Sequence, residues 1–142
     1  MNFYNFKVSR REKSQIINEI KGKLVKKKEI LFAFIYGSFH DHSGNLTFRD
    51  IDIGIYTKDL DSKRALYYSL DLSQEFTKST HFPVEVRVIN TAPIPFLFHV
   101  IQGELIVNKD DDKCSDFMED IIRRYLDMKP LLHIASKEAF AA

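Results

Sequence analysis

Asp50 and Asp52 stand one residue apart at the head of the apolar run IDIGIY, within YGSFHDHSGNLTFRDIDIGIY, residues 36–56. An ionised carboxylate resists burial unless something compensates its charge. A pair in such a run therefore either faces water or holds a cation. Alternation along a strand sends Ile51, Ile53 and Ile55 to one face and Asp50, Asp52, Gly54 and Tyr56 to the other. Side chains two apart on a strand start roughly 6–7 Å apart, close enough for both carboxylates to reach one divalent ion or a pair of ions. Without a cation their charges repel, and one carboxylate tends to take up a proton.

The segment PVEVRVIN repeats the pattern, with Val84, Val86 and Val88 on one side and Glu85 and Arg87 on the other. If the two strands are neighbours, Glu85 completes a cluster of three carboxylates. Three hard oxygen donors around an open position suit Mg²⁺, which keeps some waters and takes substrate phosphates as further ligands. Gly37 and Ser38 follow an apolar stretch and offer backbone donors and a hydroxyl at a tight turn, a cradle for phosphate. Arg87 either pairs with Glu85 or grips a triphosphate in two-pronged fashion. A phosphate cradle beside an acidic metal site points to phosphoryl or nucleotidyl transfer.

These residues need elements to position them. Ser9 and Glu12 have the spacing of a capping box, and Ile16, Ile17, Ile20, Leu24 and Val25 recur at helical spacing, so a helix is predicted from about Arg10 to Lys27. Ile30–Tyr36 reads as a buried strand closed by Gly37, Ile51–Tyr56 as a second strand and Val84–Ile89 as a third. Ser62–Thr77 reads as a helix, and Pro93 and Pro95 start a short one reaching Gln102, with Gly103 as its cap. Glu104–Asn108 is an expected edge strand. A last helix is predicted from Ser115 to about Met128, with Pro130 interrupting it before a further short helix. Strands and helices mix without strict alternation, so the fold class is α+β.

Gly37-Ser38, then Asp50-Ile51-Asp52, then a carboxylate on a valine-rich strand resemble the minimal nucleotidyltransferase (MNT) family of the DNA polymerase β-like superfamily. The likeness continues through PVEVRVIN, FLFHVIQGELIVN and RRYLDMKPLL, and so runs from about Ile30 to Leu132. Arg49 stands where that family usually has serine, and Glu85 where it usually has aspartate. Glutamate is one methylene longer, which matters because octahedral Mg²⁺ tolerates little distortion.

The resemblance implies a small mixed sheet with helices packed on one face and the metal and nucleotide site on the open face. It also implies transfer of AMP from ATP to a hydroxyl. By that likeness Asp50, Asp52 and Glu85 are the catalytic carboxylates and ligate two Mg²⁺ ions, and Glu85 helps deprotonate the acceptor. Gly37 and Ser38 hold the β- and γ-phosphates of the leaving pyrophosphate, while Arg87 stays open as a further phosphate contact or a partner of Glu85. The implied partner is a HEPN-domain toxin whose tyrosine receives AMP, which makes this chain an antitoxin. Two alternatives stay open: a fold kept for protein contact after Glu85 weakened the chemistry, and transfer to a small molecule. The second is disfavoured because little chain remains to build a small-substrate pocket.

Composition bounds the rest. With 142 residues, 44% of them hydrophobic and 29% charged, the chain is expected to form one nucleotidyltransferase-like domain over residues 1–142. Residues 1–28 would supply an N-terminal helix and 115–142 the C-terminal helices. A net charge of +1 gives no reason to expect direct nucleic-acid binding. A single cysteine, Cys114, excludes an intrachain disulfide, and the N-terminus lacks a signal pattern. A cytoplasmic protein with no membrane partner is the expectation. His40, Asp41 and His42 read as a solvated loop, His81, His99 and His133 as structural, and Asp110–Asp112 as a helix-start cap. Tyr67, Tyr68, Phe96 and Phe98 read as core or interface rings, one of them able to stack adenine. With 12 phenylalanines and 6 tyrosines, Phe96–Val100 and the tail from Tyr125 to Phe140 are candidate contacts for a homo- or hetero-oligomer.

Overall fold

A computed structural model describes residues 5–40 and 47–141, with side chains to residue 138. In chain order it has β1 (Phe6–Lys7), α1 (Arg10–Val25), β2 (Ile30–Tyr36), β3 (Thr47–Phe48), β4 (Ile51–Thr57) and α2 (Ser62–Thr80). After these come β5 (Val84–Val88), α3 (Ile94–Ile101), β6 (Glu104–Asn108) and α4 (Asp111–Ala141). The α+β expectation holds. Four strands form one sheet in the order β5-β4-β2-β6, with β4 and β5 parallel and the other pairs antiparallel. Parallel neighbours need a crossover, and α2 supplies it between β4 and β5.

The capping box forms as expected: Glu12 N–H donates to Ser9 Oγ at 3.1 Å and Ser9 N–H to Glu12 Oε1 at 3.2 Å. Helix α1 then buries Ile20 and Leu24 completely against one sheet face, where Ile51, Ile53 and Ile55 meet them together with Leu72 and Phe76 of α2. Each such side chain contributes about 1.5–3 kcal/mol by leaving water.

The opposite face differs from expectation. It was expected to be open, but α3 and α4 cover most of it, burying Leu97, Val100, Ile101, Cys114 and Ile121 against Phe32, Phe34 and Tyr36. Gly54 makes the close packing possible, since a Cβ there would lie 3.0 Å from both Ile89 and Val100 side chains. Asp52 and Glu85, on the same face, stay partly exposed.

Helix α2 binds the edge strand β5 through three hydroxyls. Val84 N–H donates to Thr77 Oγ1 at 2.9 Å, Val86 N–H to Ser73 Oγ at 2.9 Å and Val88 N–H to Ser69 Oγ at 3.2 Å. The match is a matter of pitch. Four helical residues rise about 6 Å and two strand residues about 6.6 Å, so the two rows stay in step. His81, with φ 67°, ends α2 in the left-handed conformation.

Two further features depart from expectation. β1 and β3 pair as a two-residue antiparallel ribbon that the sequence reading did not include. The last helix also starts earlier, at Asp111, and runs through Pro130 to Ala141 instead of stopping near Met128. Asp110 caps it as expected of the aspartate run, its carboxylate accepting from Lys113 N–H at 3.1 Å. Pro130 removes one helical donor, yet its surroundings are exposed, so water can serve the carbonyl left over. Among the described residues, no helix is long and apolar enough to cross a membrane.

Candidate active site

Sheet register brings the acidic residues together. Asp52, the second residue of β4, sits opposite Tyr36 of β2 and beside Glu85 of β5. Asp50 immediately precedes β4. One ligand oxygen from each of Asp50, Asp52 and Glu85 lies within 4.8 Å of the others. The three residues singled out from sequence therefore form one cluster.

Its electrostatics follow from crowding. Partial burial, then the charges of Asp50 and Glu85, push the Asp52 carboxyl up to about 6, against an opposing pull from Arg87. Tyr36 is buried beside the same group, and desolvation followed by the Asp52 charge raises its hydroxyl well above the usual phenol range. A site that resists carrying its own negative charge gains from a bound cation. The donor set is all carboxylate oxygen, which matches a hard divalent ion such as Mg²⁺. The residues fit that ion.

The turn after β2 stands against this cluster. Gly37 has φ 81°, and a Cβ there would overlap Asp52 Oδ2. His40 N–H donates to Gly37 O at 3.1 Å, which closes a turn. Ser38 is exposed, and its Oγ accepts from Arg49 N–H at 3.5 Å, linking the turn to the residue before Asp50. Phe39 anchors the turn from below, fully buried and edge-on to Phe48 with ring centroids 4.7 Å apart.

Arg87 lies on Glu85. Its Nη2 and Nε donate to Glu85 Oε1 at 2.7 and 2.9 Å, and its guanidinium sits 5.2 Å from the Phe96 ring centroid. Phe96 meets Tyr36 edge-on at 5.8 Å, and Tyr36 in turn meets His99 at 5.5 Å. This supporting row of rings was missed from sequence as a site feature, because Tyr36 comes from β2 and Phe96 and His99 from α3, and no local spacing connects the two elements.

The remaining candidates separate from the site. Phe98 stacks on Tyr125 at 3.8 Å and so joins α3 to α4, and Tyr68 donates to Glu29 at 3.1 Å. Cys114 is buried, which raises its thiol and keeps it unreactive. His40 Nδ1 lies 3.9 Å from Glu104, while Asp41 and His42 fall outside the described residues.

Three convergent carboxylates thus stand beside the turn that follows β2. Residues 18–112 match the family described as Polymerase beta, Nucleotidyltransferase, and the chain belongs to that family. Its fold is similar to a chain of the complex between a tri-AMPylated HEPN toxin of Shewanella oneidensis and an MNT antitoxin. That match has a TM-score of 0.69 at 16% identity and covers 91% of this chain and 99% of that one. A chain of the MntA–HepT toxin–antitoxin complex gives 0.65 at 14% identity, covering 94% and 100%. A chain of a toxin–antitoxin structure with AMP-PNP gives 0.64 at 16%, covering 89% and 98%. No curated protein sequence matches the chain significantly.

Proposed function

We propose that this chain is a magnesium-dependent nucleotidyltransferase that transfers AMP from ATP to a tyrosine hydroxyl of a HEPN-domain toxin, and so acts as its antitoxin. The observation that carries the reading is the convergence of Asp50, Asp52 and Glu85 within 4.8 Å beside the Gly37 turn. Family membership and the similarity in fold to chains of MNT–HEPN complexes support the choice of reaction and partner.

Asp50, Asp52 and Glu85 would hold the ions, two in this reading. When bound, Mg²⁺ would offset the triphosphate charge and supply Lewis acidity during in-line displacement. Glu85 accepts the proton of the attacking hydroxyl, being the most exposed of the three. Gly37 and Ser38 receive the β- and γ-phosphates of the leaving pyrophosphate, and Arg87 contributes donors toward the same charge. The whole chain works as one domain, in the cytoplasm.

One observation favours a second reading. Arg87 offsets part of the cluster's negative charge without a metal ion, which suits a chain neutralising its toxin by contact alone. Incubation of the chain with ATP, Mg²⁺ and a co-expressed HEPN protein separates the two. Added AMP mass on the toxin, lost in Asp50→Asn/Asp52→Asn, is the expected result. A stable complex without added mass in either form would favour contact alone.

A further inference from the structure

Glu85 is the least constrained member of the triad: its side chain has one more torsion than an aspartate, and 46% of its surface is exposed. Left alone, such a side chain samples several rotamers, and fixing it costs up to about 1.5–2 kcal/mol of conformational entropy. It is not left alone. Arg87, two residues along β5 on the same face, directs Nε and Nη2 onto the single atom Oε1. Neither of these donors engages Oε2. Arg87 is itself steadied by the face of Phe96, and Phe96 by the edge of Tyr36. In this same arrangement a Glu85 oxygen comes within 4.8 Å of ligand atoms on both Asp50 and Asp52.

The rotamer that Arg87 holds is thus the rotamer that completes the cluster. We infer that Arg87, supported by Phe96, is a positioning residue that pre-sets Glu85 as the third metal ligand of this site. The inference rests on the proposed metal-binding role of Asp50, Asp52 and Glu85. It gives Arg87 a duty that exists before any nucleotide arrives, distinct from contact with phosphates. A cation that merely competed for Glu85 would draw the carboxylate away from Asp50 and Asp52, but the observed pairing leaves it among them.

The test uses Mn²⁺ alone, without nucleotide, with bound ion read from loss of the free-ion signal in electron paramagnetic resonance. Wild-type protein binds Mn²⁺, and Asp50→Asn/Asp52→Asn abolishes that binding; its persistence, or no binding by wild type, would overturn the metal-site reading itself. Given wild-type binding, Arg87→Gln weakens Mn²⁺ affinity about tenfold or more, as loss of an outer-shell partner does. Arg87→Lys recovers part of it, because lysine still offers one donor. In a Glu85→Ala background Arg87→Gln has no further effect, a coupling that general loosening of the fold would not produce. Unchanged or tighter Mn²⁺ binding by Arg87→Gln, or an equal loss in the Glu85→Ala background, would overturn the positioning role.

Discussion

Gly37 and Asp52 share a space that admits only one of two things, a Cβ on residue 37 or the carboxylate of Asp52. The φ of 81° at Gly37 adds a second demand, since side-chain-bearing residues pay about 1–2 kcal/mol to enter that region. Gly37→Ala is therefore expected to lower stability by at least that amount and to displace Asp52. Calorimetric titration with ATP and Mg²⁺ should show binding lost or weakened severalfold, in protein that still folds by circular dichroism. Unimpaired binding would contradict the close approach.

Asp52 itself opposes folding when no cation is present. Its carboxyl titrates near 3.8 in an open chain and at about 6 in the fold, so between those values the folded protein holds more protons there. Stability consequently falls as pH rises through that window, and the deficit is complete above it. Partial exposure screens the effect, leaving it on the order of 1 kcal/mol. In chelator at about pH 8, Asp52→Asn should melt about 3 °C above wild type, with the difference vanishing near pH 4. Adding Mg²⁺ should reverse the order, because only the wild type retains that ligand.

The hydroxyls of α2 invite a direct measurement. Ser73 Oγ accepts from Val86 N–H at 2.9 Å and donates to Ser69 O at 2.7 Å, so Ser73→Ala leaves the amide of a buried residue unpaired. A loss of about 1–2 kcal/mol in denaturant unfolding is expected. Hydrogen exchange at Val86 should accelerate more than at Val84, whose partner Thr77 remains.

Pro130 tests the independence of the far end of α4. Proline is about 3 kcal/mol worse than alanine inside a helix. Pro130→Ala should raise helical ellipticity and slow amide exchange beyond residue 126. The melting of the sheet should scarcely move, because Leu131, Leu132 and Ile134 are exposed and lie outside both core clusters.

Much of this was legible in the residues. β2 runs over the predicted Ile30–Tyr36, and alternation in IDIGIY and PVEVRV sorted isoleucine and valine from carboxylate on the correct faces. Those patterns are local, with period two, and burial enforces them. What stayed hidden depends on distant partners. Two-residue strands such as Phe6–Lys7 carry no periodicity, and Phe6 is explained only by Phe48 and Phe82. The cover over the second sheet face was foreshadowed by Phe32, Phe34 and Tyr36, which make β2 apolar on both sides, a hallmark of a strand buried on both faces. Helix α4 outran its expected end because a proline rule that holds in packed interiors relaxes where water reaches the backbone.

The row formed by Ser69, Ser73 and Thr77 also decides how the four-stranded sheet can grow. A bare edge strand is a template for another chain, but the outward amides of β5 are already spoken for. β6 is the other margin of that sheet and pairs with no further strand among the described residues. Two copies joined margin to margin through β6 would leave the four-stranded sheet no bare margin, so growth of that sheet would end at a pair.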